Sequence, residues 1–190
     1  MSDPIIVVYF SGFGHTLKVA EAVAAGARAS LMAVDQDGNL PANGWDRLAA
    51  ADAIIFGSPT YMAGVSWQFK KFLDESSKIW MTQGWRDKLA AGFTNSSGMN
   101  GDKASTLYAL FTVAQQHGML WVGTGMLPSN YKASTRDDIN YVASFTGLAT
   151  TTPADATPDE MVVGDIETAR RFGQRVALTV ERLREHAEAA

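Results

Sequence analysis

Residues 5–16 read I-I-V-V-Y-F-S-G-F-G-H-T, an apolar run that passes directly into a glycine-rich turn. Ile5 to Phe10 is a continuous β-branched and aromatic segment, the pattern of a strand that is buried on both faces of a parallel sheet. From Thr16 to Ala27, small apolar residues recur at helical spacing and form one apolar face. The stretch therefore predicts a strand, a tight turn and a helix, in that order.

The same alternation of strand and helix continues along the chain. Residues 125–160, rich in Ser, Thr, Asn, Asp and Pro, are expected to be a long surface excursion rather than a second domain. Strands alternating with helices predict an α/β fold, a doubly wound five-stranded parallel sheet with helices on both faces, in one domain over residues 1–190. The further predicted strands are Leu31–Val34, Ala53–Gly57, Lys88–Thr94 and Met119–Val122, and the clearest further helices are Lys103–Gln116 and Asp165–His186.

Composition excludes several classes of function. A net charge of -4 without a basic stripe argues against a nucleic-acid partner. The absence of cysteine excludes disulfides and thiolate sites, and His15, His117 and His186 are too scattered to predict a metal centre. No apolar run is long enough to cross a bilayer, and the N-terminus lacks the basic start of a signal peptide, so we expect a cytoplasmic protein.

Three unusual loops follow the first, third and fourth predicted strands. In a parallel sheet such loops lie at one edge, where ligands bind. The loop at 11–16 opens a helix whose free N–H groups and dipole can hold an anion, although it contains no lysine or arginine. The loop at 58–64 combines a rigid proline, hydroxyls and a large ring, and the loop at 95–101 has short polar side chains for hydrogen bonds to a heterocycle. Together they predict a bound mononucleotide.

Known glycine loops differ in how well they match residues 11–16. A nucleoside-triphosphate P-loop requires Gly-Lys-Ser/Thr, but Gly14 is followed by His15 and Thr16. The dinucleotide fingerprint lacks its third glycine because Leu17 stands there, although Asp35 lies where a ribose-binding acid would fall, so this alternative stays open. The flavodoxin pattern Ser/Thr-x-Thr-Gly-x-Thr matches apart from Phe13. A plain glycine turn without a ligand is the remaining alternative.

Motifs along nearly the whole chain carry a family resemblance. They are V-V-Y-F-S-G-F-G-H-T at 7–16, D-A-I-I-F-G-S-P-T-Y at 52–61, Phe-Leu-Asp at 72–74, K-L-A-A-G-F-T-N-S at 88–96, Q-H-G-M at 116–119 and R-R-F-G-Q-R-V-A at 170–177. In this order they resemble the flavodoxin superfamily, and within it the WrbA-type NAD(P)H:quinone oxidoreductases and NADPH-dependent FMN reductase-like flavoproteins. The resemblance implies a flavodoxin-like sheet of strand order 2-1-3-4-5, bound FMN, and a homo-oligomer, either dimer or tetramer.

The resemblance also implies where the cofactor lies. Phe13 would meet NAD(P)H as co-substrate, and Trp80 would lie against the quinone unless it fills a core or a subunit interface. His117 would contact the flavin, whereas without the resemblance it is interpreted as a helix-end residue favoured by the dipole. His15 would contribute mainly its backbone N–H. The FMN phosphate would lie on Ser11, Gly12, Phe13, Gly14, His15 and Thr16, and the ring would be framed by Pro59, Thr60, Tyr61 and Met62 and by Asn95, Ser96, Ser97, Gly98, Met99 and Gly101.

Some positions depart from the family pattern. Tyr61 stands where these proteins usually have arginine, and residues 97–103 replace a longer glycine-rich stretch. The tryptophans Trp67, Trp80 and Trp85 suggest subunit contacts or an apolar substrate slot.

The resemblance leads to one main functional expectation. Hydride passes from NAD(P)H to FMN and two electrons pass on to a quinone-like acceptor, without a catalytic side-chain acid. The alternatives are a flavodoxin-type one-electron carrier that does not oxidise NAD(P)H, and a flavin-free regulatory or structural protein of the same fold.

Overall fold

The computed structural model describes residues 3–188. The strands are β1 (Ile5–Tyr9), β2 (Ser30–Ala33), β3 (Ala53–Tyr61), β4 (Gly64–Val65), β5 (Leu89–Ser96), β6 (Leu120–Trp121) and β7 (Leu148–Thr151). The helices are α1 (His15–Ala27), α2 (Gly44–Ala50), α3 (Trp67–Glu75), α4 (Ser77–Met81), α5 (Lys103–Gln116) and α6 (Val163–Glu188), with a 3-10 helix at Pro158–Glu160. Among the described residues, no helix is both long and apolar enough to cross a membrane.

The sheet has the predicted α/β topology with two additions. Its main path is β2-β1-β3-β5-β6, and all neighbours on this path are parallel. Because β5 and β6 are the fourth and fifth predicted strands, the order 2-1-3-4-5 is confirmed. The additions are β4, which pairs antiparallel with β3, and β7, which pairs parallel with β5.

Strand β7 corrects the expectation that 125–160 is only a surface excursion. The short β6 pairs with Leu89 and Ala90 at the start of β5, and the excursion then returns so that Leu148–Thr151 pairs with Phe93–Ser96 at its end. The fifth position of the sheet is therefore shared by two separate segments. The excursion places its residues beside the carboxyl end of β5, where the predicted site lies.

Both faces of the sheet are covered, as the continuous apolar strands predict. Along β1, Val7 packs in the layer formed with α1 and α6, and its neighbours Ile6 and Val8 pack on the opposite face. Helices α1 and α6 touch backbone to backbone: a Cβ at Gly26 would lie 1.9 Å from the Arg170 carbonyl oxygen. The same holds at Gly173, where a Cβ would lie 2.0 Å from the Val23 carbonyl oxygen.

Several local features differ from the sequence-based expectations. Strand β3 continues to Tyr61 instead of ending at Gly57, so residues 58–60 of the expected loop are buried strand. Helices α2 and α4 were not predicted, because each is short and carries little helical apolar pattern. The Asp35 carboxylate accepts the N–H groups of Asp37 and Asn39 at 2.9 and 2.7 Å and so stabilises the turn that it belongs to. Because this carboxylate is bound within its own turn, the structure argues against its binding a ribose, as the dinucleotide alternative requires.

Candidate functional site

A cleft of about 210 Å³ lies at the carboxyl edge of the sheet, where the three predicted loops meet. Of the predicted site residues it brings together Phe13, His15, Thr16, Pro59, Thr60, Tyr61, Asn95, Ser96 and Ser97. Thr152 and Ala154, which follow β7, complete the lining and were not predicted. Aspartate, glutamate, lysine and arginine do not occur among these lining residues. The cleft therefore offers uncharged hydrogen-bonding groups and aromatic rings.

The first loop forms the amino-terminal end of α1. The Ser11 hydroxyl accepts the backbone N–H groups of Gly14 and Leu17, both at 3.1 Å, and so caps the helix from within the loop. Gly14 takes a left-handed conformation with φ 89°, which favours glycine. Within the described residues, the N–H groups of Phe13, His15 and Thr16 have no hydrogen-bond partner. These free donors at a helix N-terminus can bind an anion.

The segment after β7 packs against the first loop as an additional wall. The Nε2–H of His15 donates to the Ala156 carbonyl oxygen at 2.7 Å, and Lys18 pairs with Asp159 at 2.8 Å. Pro158 lies so close to Gly14 that a Cβ there would be 2.8 Å from the proline Cγ. His15 was predicted to contribute mainly its backbone N–H; the structure adds a side-chain role that ties the loop to this wall.

The second loop is a β-hairpin. Met62 and Ala63 form its turn with φ of 45° and 64°, the left-handed values that tight hairpins require. Met62 is fully exposed at the tip, whereas Tyr61 meets Phe13 edge-on, with ring centroids 6.2 Å apart. The Tyr61 hydroxyl lies against Gly12, where a Cβ would be only 2.5 Å away. Two aromatic rings thus stand at the open side of the cleft.

The third loop presents one oriented amide. Asn95, at the end of β5, is 5% exposed, and its Oδ1 accepts the hydroxyls of Thr150 at 2.9 Å and Thr152 at 3.0 Å. Because two donors fix Oδ1, the side-chain amide cannot flip without losing both bonds. Its Nδ2 has no hydrogen-bond partner in the described part of the chain. Asn95 therefore holds two free N–H donors at the cleft.

A threonine network supports the floor of the cleft. The Thr60 hydroxyl lies 2.8 Å from the hydroxyls of both Thr94 and Thr106, and all three residues are buried. Nearby, the hydroxyl of Ser58 accepts the Ser66 N–H at 3.0 Å. These bonds tie β3, β5 and α5 together beneath the lining residues.

Other predicted residues flank the cleft without lining it: Ser11, Gly12, Gly14, Met62, Gly98, Met99 and Gly101. The carbonyl groups of Gly98 and Met99 accept the ammonium of Lys103 at 2.5 and 3.0 Å. Lys103 was predicted only as the start of a helix, yet it is buried. A lysine at a helix start is ordinarily solvated, so the sequence carries no signal for this burial.

The structure places His117 away from this edge, so it does not line the cleft of its own chain, and its contact with the flavin stays a prediction. Helix α5 runs back across the sheet, so its C-terminal end lies about 20 Å from its start. His117 is 2% exposed: its Nε2 hydrogen-bonds the Ser76 hydroxyl at 2.9 Å, and its ring lies 4.5 Å from the Trp85 ring. Burial in this packing lowers the pKa of the imidazole.

The tryptophans are also placed away from the cleft. Trp80 lies on α4, beyond α3, which leads away from the carboxyl edge, and it does not line the cleft of its own chain. Trp85 is completely buried in the core, so the expectation that it serves a subunit contact or substrate slot is wrong. Trp67 remains well exposed at the start of α3.

Comparison with known proteins agrees with this geometry. The family described as NADPH-dependent FMN reductase matches residues 35–133. A protein named flavodoxin FldP from Pseudomonas aeruginosa is 48% identical, and the match covers 90% of this chain and 94% of that protein. An NAD(P)H dehydrogenase (quinone) from Geotalea uraniireducens is 30% identical, and the match covers 94% of this chain and 98% of that protein. A crystal structure of a flavodoxin, WrbA-like protein from Agrobacterium tumefaciens has a TM-score of 0.77 and 48% identity, covering 95% of this chain and 99% of that one.

Proposed function

We propose a function from one premise: the chain belongs to the flavodoxin superfamily, as a WrbA-type flavoprotein of the NADPH-dependent FMN reductase family. Its cleft binds FMN, and the loaded protein is an oxidoreductase that takes hydride from NAD(P)H and passes two electrons to a quinone or a similar acceptor. The relatives named as NAD(P)H dehydrogenase (quinone) support this reading of the activity.

The fit of the cleft to FMN rests on its free donors. The unpaired N–H groups at the start of α1 are suited to bind the phosphate of FMN. A monophosphate can be bound by such N–H groups without a lysine. At the other end, the Nδ2 of Asn95, a cleft-lining residue, has no hydrogen-bond partner among the described residues and matches a ring carbonyl. This oriented amide, held by two threonine hydroxyls and left without a partner of its own, is the observation that carries the proposal.

The residues of the chain position the reacting partners. FMN, when bound, supplies the hydride and electron transfer, and the protein supplies orientation. Phe13 and Tyr61 stand at the open side of the cleft, where their rings can hold a flat nicotinamide or quinone by stacking. The lining contains no carboxylate, ammonium or guanidinium group, and the proposed hydride and electron transfer requires no acid or base from its His15 and Tyr61 side chains.

The experiment is anaerobic mixing of the FMN-loaded protein with NADH and with NADPH, followed by addition of a quinone. The proposal predicts bleaching of the flavin absorbance by one of the nucleotides and its recovery with the quinone. A protein that takes up FMN but stays oxidised with both nucleotides would refute the reductase activity and leave the FMN site standing.

The second candidate is a one-electron carrier, favoured by the 48% identity to a protein named flavodoxin. A carrier would be reduced by dithionite in two separated one-electron steps and would oxidise neither nucleotide. The net charge of -4 is small for the acidic docking surface that such carriers commonly use, so we place this function second.

A further inference from the structure

A cluster of charges lies behind the third loop, in which Asp165 and Lys103 are buried and Arg136 is partly exposed. The Asp165 carboxylate, on α6, accepts the Arg136 guanidinium and the Thr151 backbone N–H, both at 2.8 Å. Lys103, at the start of α5, is 3% exposed and interacts electrostatically with both charged residues. The cluster thus contains two cationic side chains and one anionic side chain, and with Lys103 protonated it carries a net positive charge.

Lys103 is connected to the cleft through the backbone of the third loop. Its Nζ donates to the carbonyl oxygens of Gly98 at 2.5 Å and Met99 at 3.0 Å. The same Gly98 carbonyl accepts the hydroxyl of Ser96 at 3.3 Å, and Ser96 lines the cleft. One carbonyl therefore links the ammonium to a cleft residue, and the loop that contains Ser97 is held from behind by a charge.

The ammonium form of Lys103 is poorly solvated where it lies. The pKa of Lys103 is lowered to about 8, and burial is the main cause; Asp165 acts in the opposite direction, and the positive charge of Arg136 acts in the same direction as burial. Among the described residues, Asp165 and Arg136 are the charged groups that act on this pKa. Added negative charge in the adjoining cleft would therefore draw a proton onto the amine.

We propose that Lys103 is a positioning residue of the cleft, which holds the Gly98–Met99 carbonyls in place and supplies positive charge that favours a reduced flavin. This inference rests on the proposed FMN site. Bound FMN would take up two electrons and one proton on reduction, and the proton would arrive within the hydride of NAD(P)H, or from solvent when dithionite supplies the electrons. An additional proton from solvent binds Nζ in those molecules in which the amine was neutral.

Lys88 provides a matched control at the opposite edge of the sheet. Its Nζ also donates to two backbone carbonyls, of Ala49 at 2.8 Å and Ala51 at 2.5 Å, and burial also lowers its pKa. Lys88→Met therefore removes a similar lysine without touching the cleft. Lys103→Met removes the charge and both bonds, and Lys103→Arg restores the charge.

Two measurements on these variants test the inference. We expect Lys103→Met to bind FMN about tenfold more weakly at pH 7, because the third loop loses the two bonds that hold it and the nearby positive charge, while Lys88→Met stays within about twofold and Lys103→Arg recovers part of the loss. In the FMN-free protein, amide hydrogens of residues 97–101 should exchange faster in Lys103→Met than in Lys88→Met. Equal affinity and equal exchange in the two methionine variants would overturn the inference.

The wild-type protein supplies a measurement that needs no substitution. Redox titration with dithionite from pH 7 to 9.5 should show additional proton uptake per two electrons above about pH 8, which is lost in Lys103→Met. Constant proton uptake in the wild type would contradict the proposal that Lys103 takes up a proton on flavin reduction, and it would leave the proposed FMN site standing. Failure of the wild type to bind FMN would overturn the proposed function and this inference together.

Discussion

Asn95 is the residue on which ligand binding is expected to depend most. Asn95→Asp retains an acceptor for the hydroxyls of Thr150 and Thr152 but replaces the free Nδ2 donors with an acceptor oxygen. We expect FMN affinity to fall by tenfold or more, about 1.4 kcal/mol, because a ring carbonyl would face a carboxylate. Fluorescence titration of FMN measures this.

The control for Asn95→Asp is Asn100→Asp, which adds the same charge at an exposed position of the same stretch. It should leave FMN affinity within about twofold, because a solvated charge acts weakly over distance. Similar losses in both variants would mean that charge alone, not the oriented amide, weakens binding.

His117 makes stability depend on pH. Burial lowers its pKa in the folded state below the unfolded value of about 6.5, so the unfolded chain binds the proton more readily. The stabilising contribution is complete above pH 6.5 and is lost as the pH falls toward the folded-state pKa. The free energy of unfolding should decrease on acidification by at most about 1.4 kcal/mol per pH unit from this group.

Urea denaturation at pH 7, 6 and 5 measures this dependence. His117→Gln should show a shallower fall in unfolding free energy than the wild type, and His186→Gln, at an exposed position in α6, should show the wild-type fall. Parallel curves for His117→Gln and the wild type would contradict the role of the buried imidazole.

At the scale of elements, helices α1 and α6 are held in backbone contact by two glycines. Gly173→Ala would place a Cβ 2.0 Å from the Val23 carbonyl oxygen, and backbone atoms cannot yield as a flexible side chain can. Separating the helices should cost about 1–3 kcal/mol of unfolding free energy. Thermal or urea denaturation measures the loss.

The matched control is Gly64→Ala in strand β4. A Cβ at Gly64 would meet no atom within 4 Å, so the same chemical change should leave stability nearly unchanged. Equal losses at both positions would show that the contact between α1 and α6 is not the cause.

At the scale of the whole molecule, we propose a homo-oligomer. Large apolar side chains that the single chain leaves exposed include Phe13, Met62, Trp67, Trp80 and Met81. Phe13 and Met62 stand at the open cleft, and Trp80 lies away from it, so a second copy could cover both regions. A dimer or tetramer should sediment at two or four times the chain mass of 20.4 kDa.

Sedimentation of Trp80→Ala tests this expectation with Leu127→Ala as a control for loss of another exposed apolar side chain. Weakened association in Trp80→Ala alone would identify α4 as part of the interface. A wild-type protein that sediments as a single chain at micromolar concentration would contradict the proposal.

The sequence by itself determined the main parallel sheet, its strand order and the three loops that meet at its edge. Continuous apolar strands such as Ile5–Tyr9 can be buried on both faces only in a covered parallel sheet, and the resemblance supplied the order in which the strands pair. The loop residues that line the cleft were predictable because chain order alone brings the carboxyl ends of parallel strands together.

Only the tertiary structure decided which side chains act on that edge from elsewhere. Strand β7 returns from the 125–160 excursion to orient Asn95, Lys103 is buried behind the third loop, and His117 is carried to the far edge by α5. A local sequence pattern indicates whether a segment is a strand or a helix, but it does not indicate which distant segment that strand or helix packs against. Long-range packing, which no short pattern encodes, therefore set the hydrogen bonds of the cleft and the charges behind its third loop.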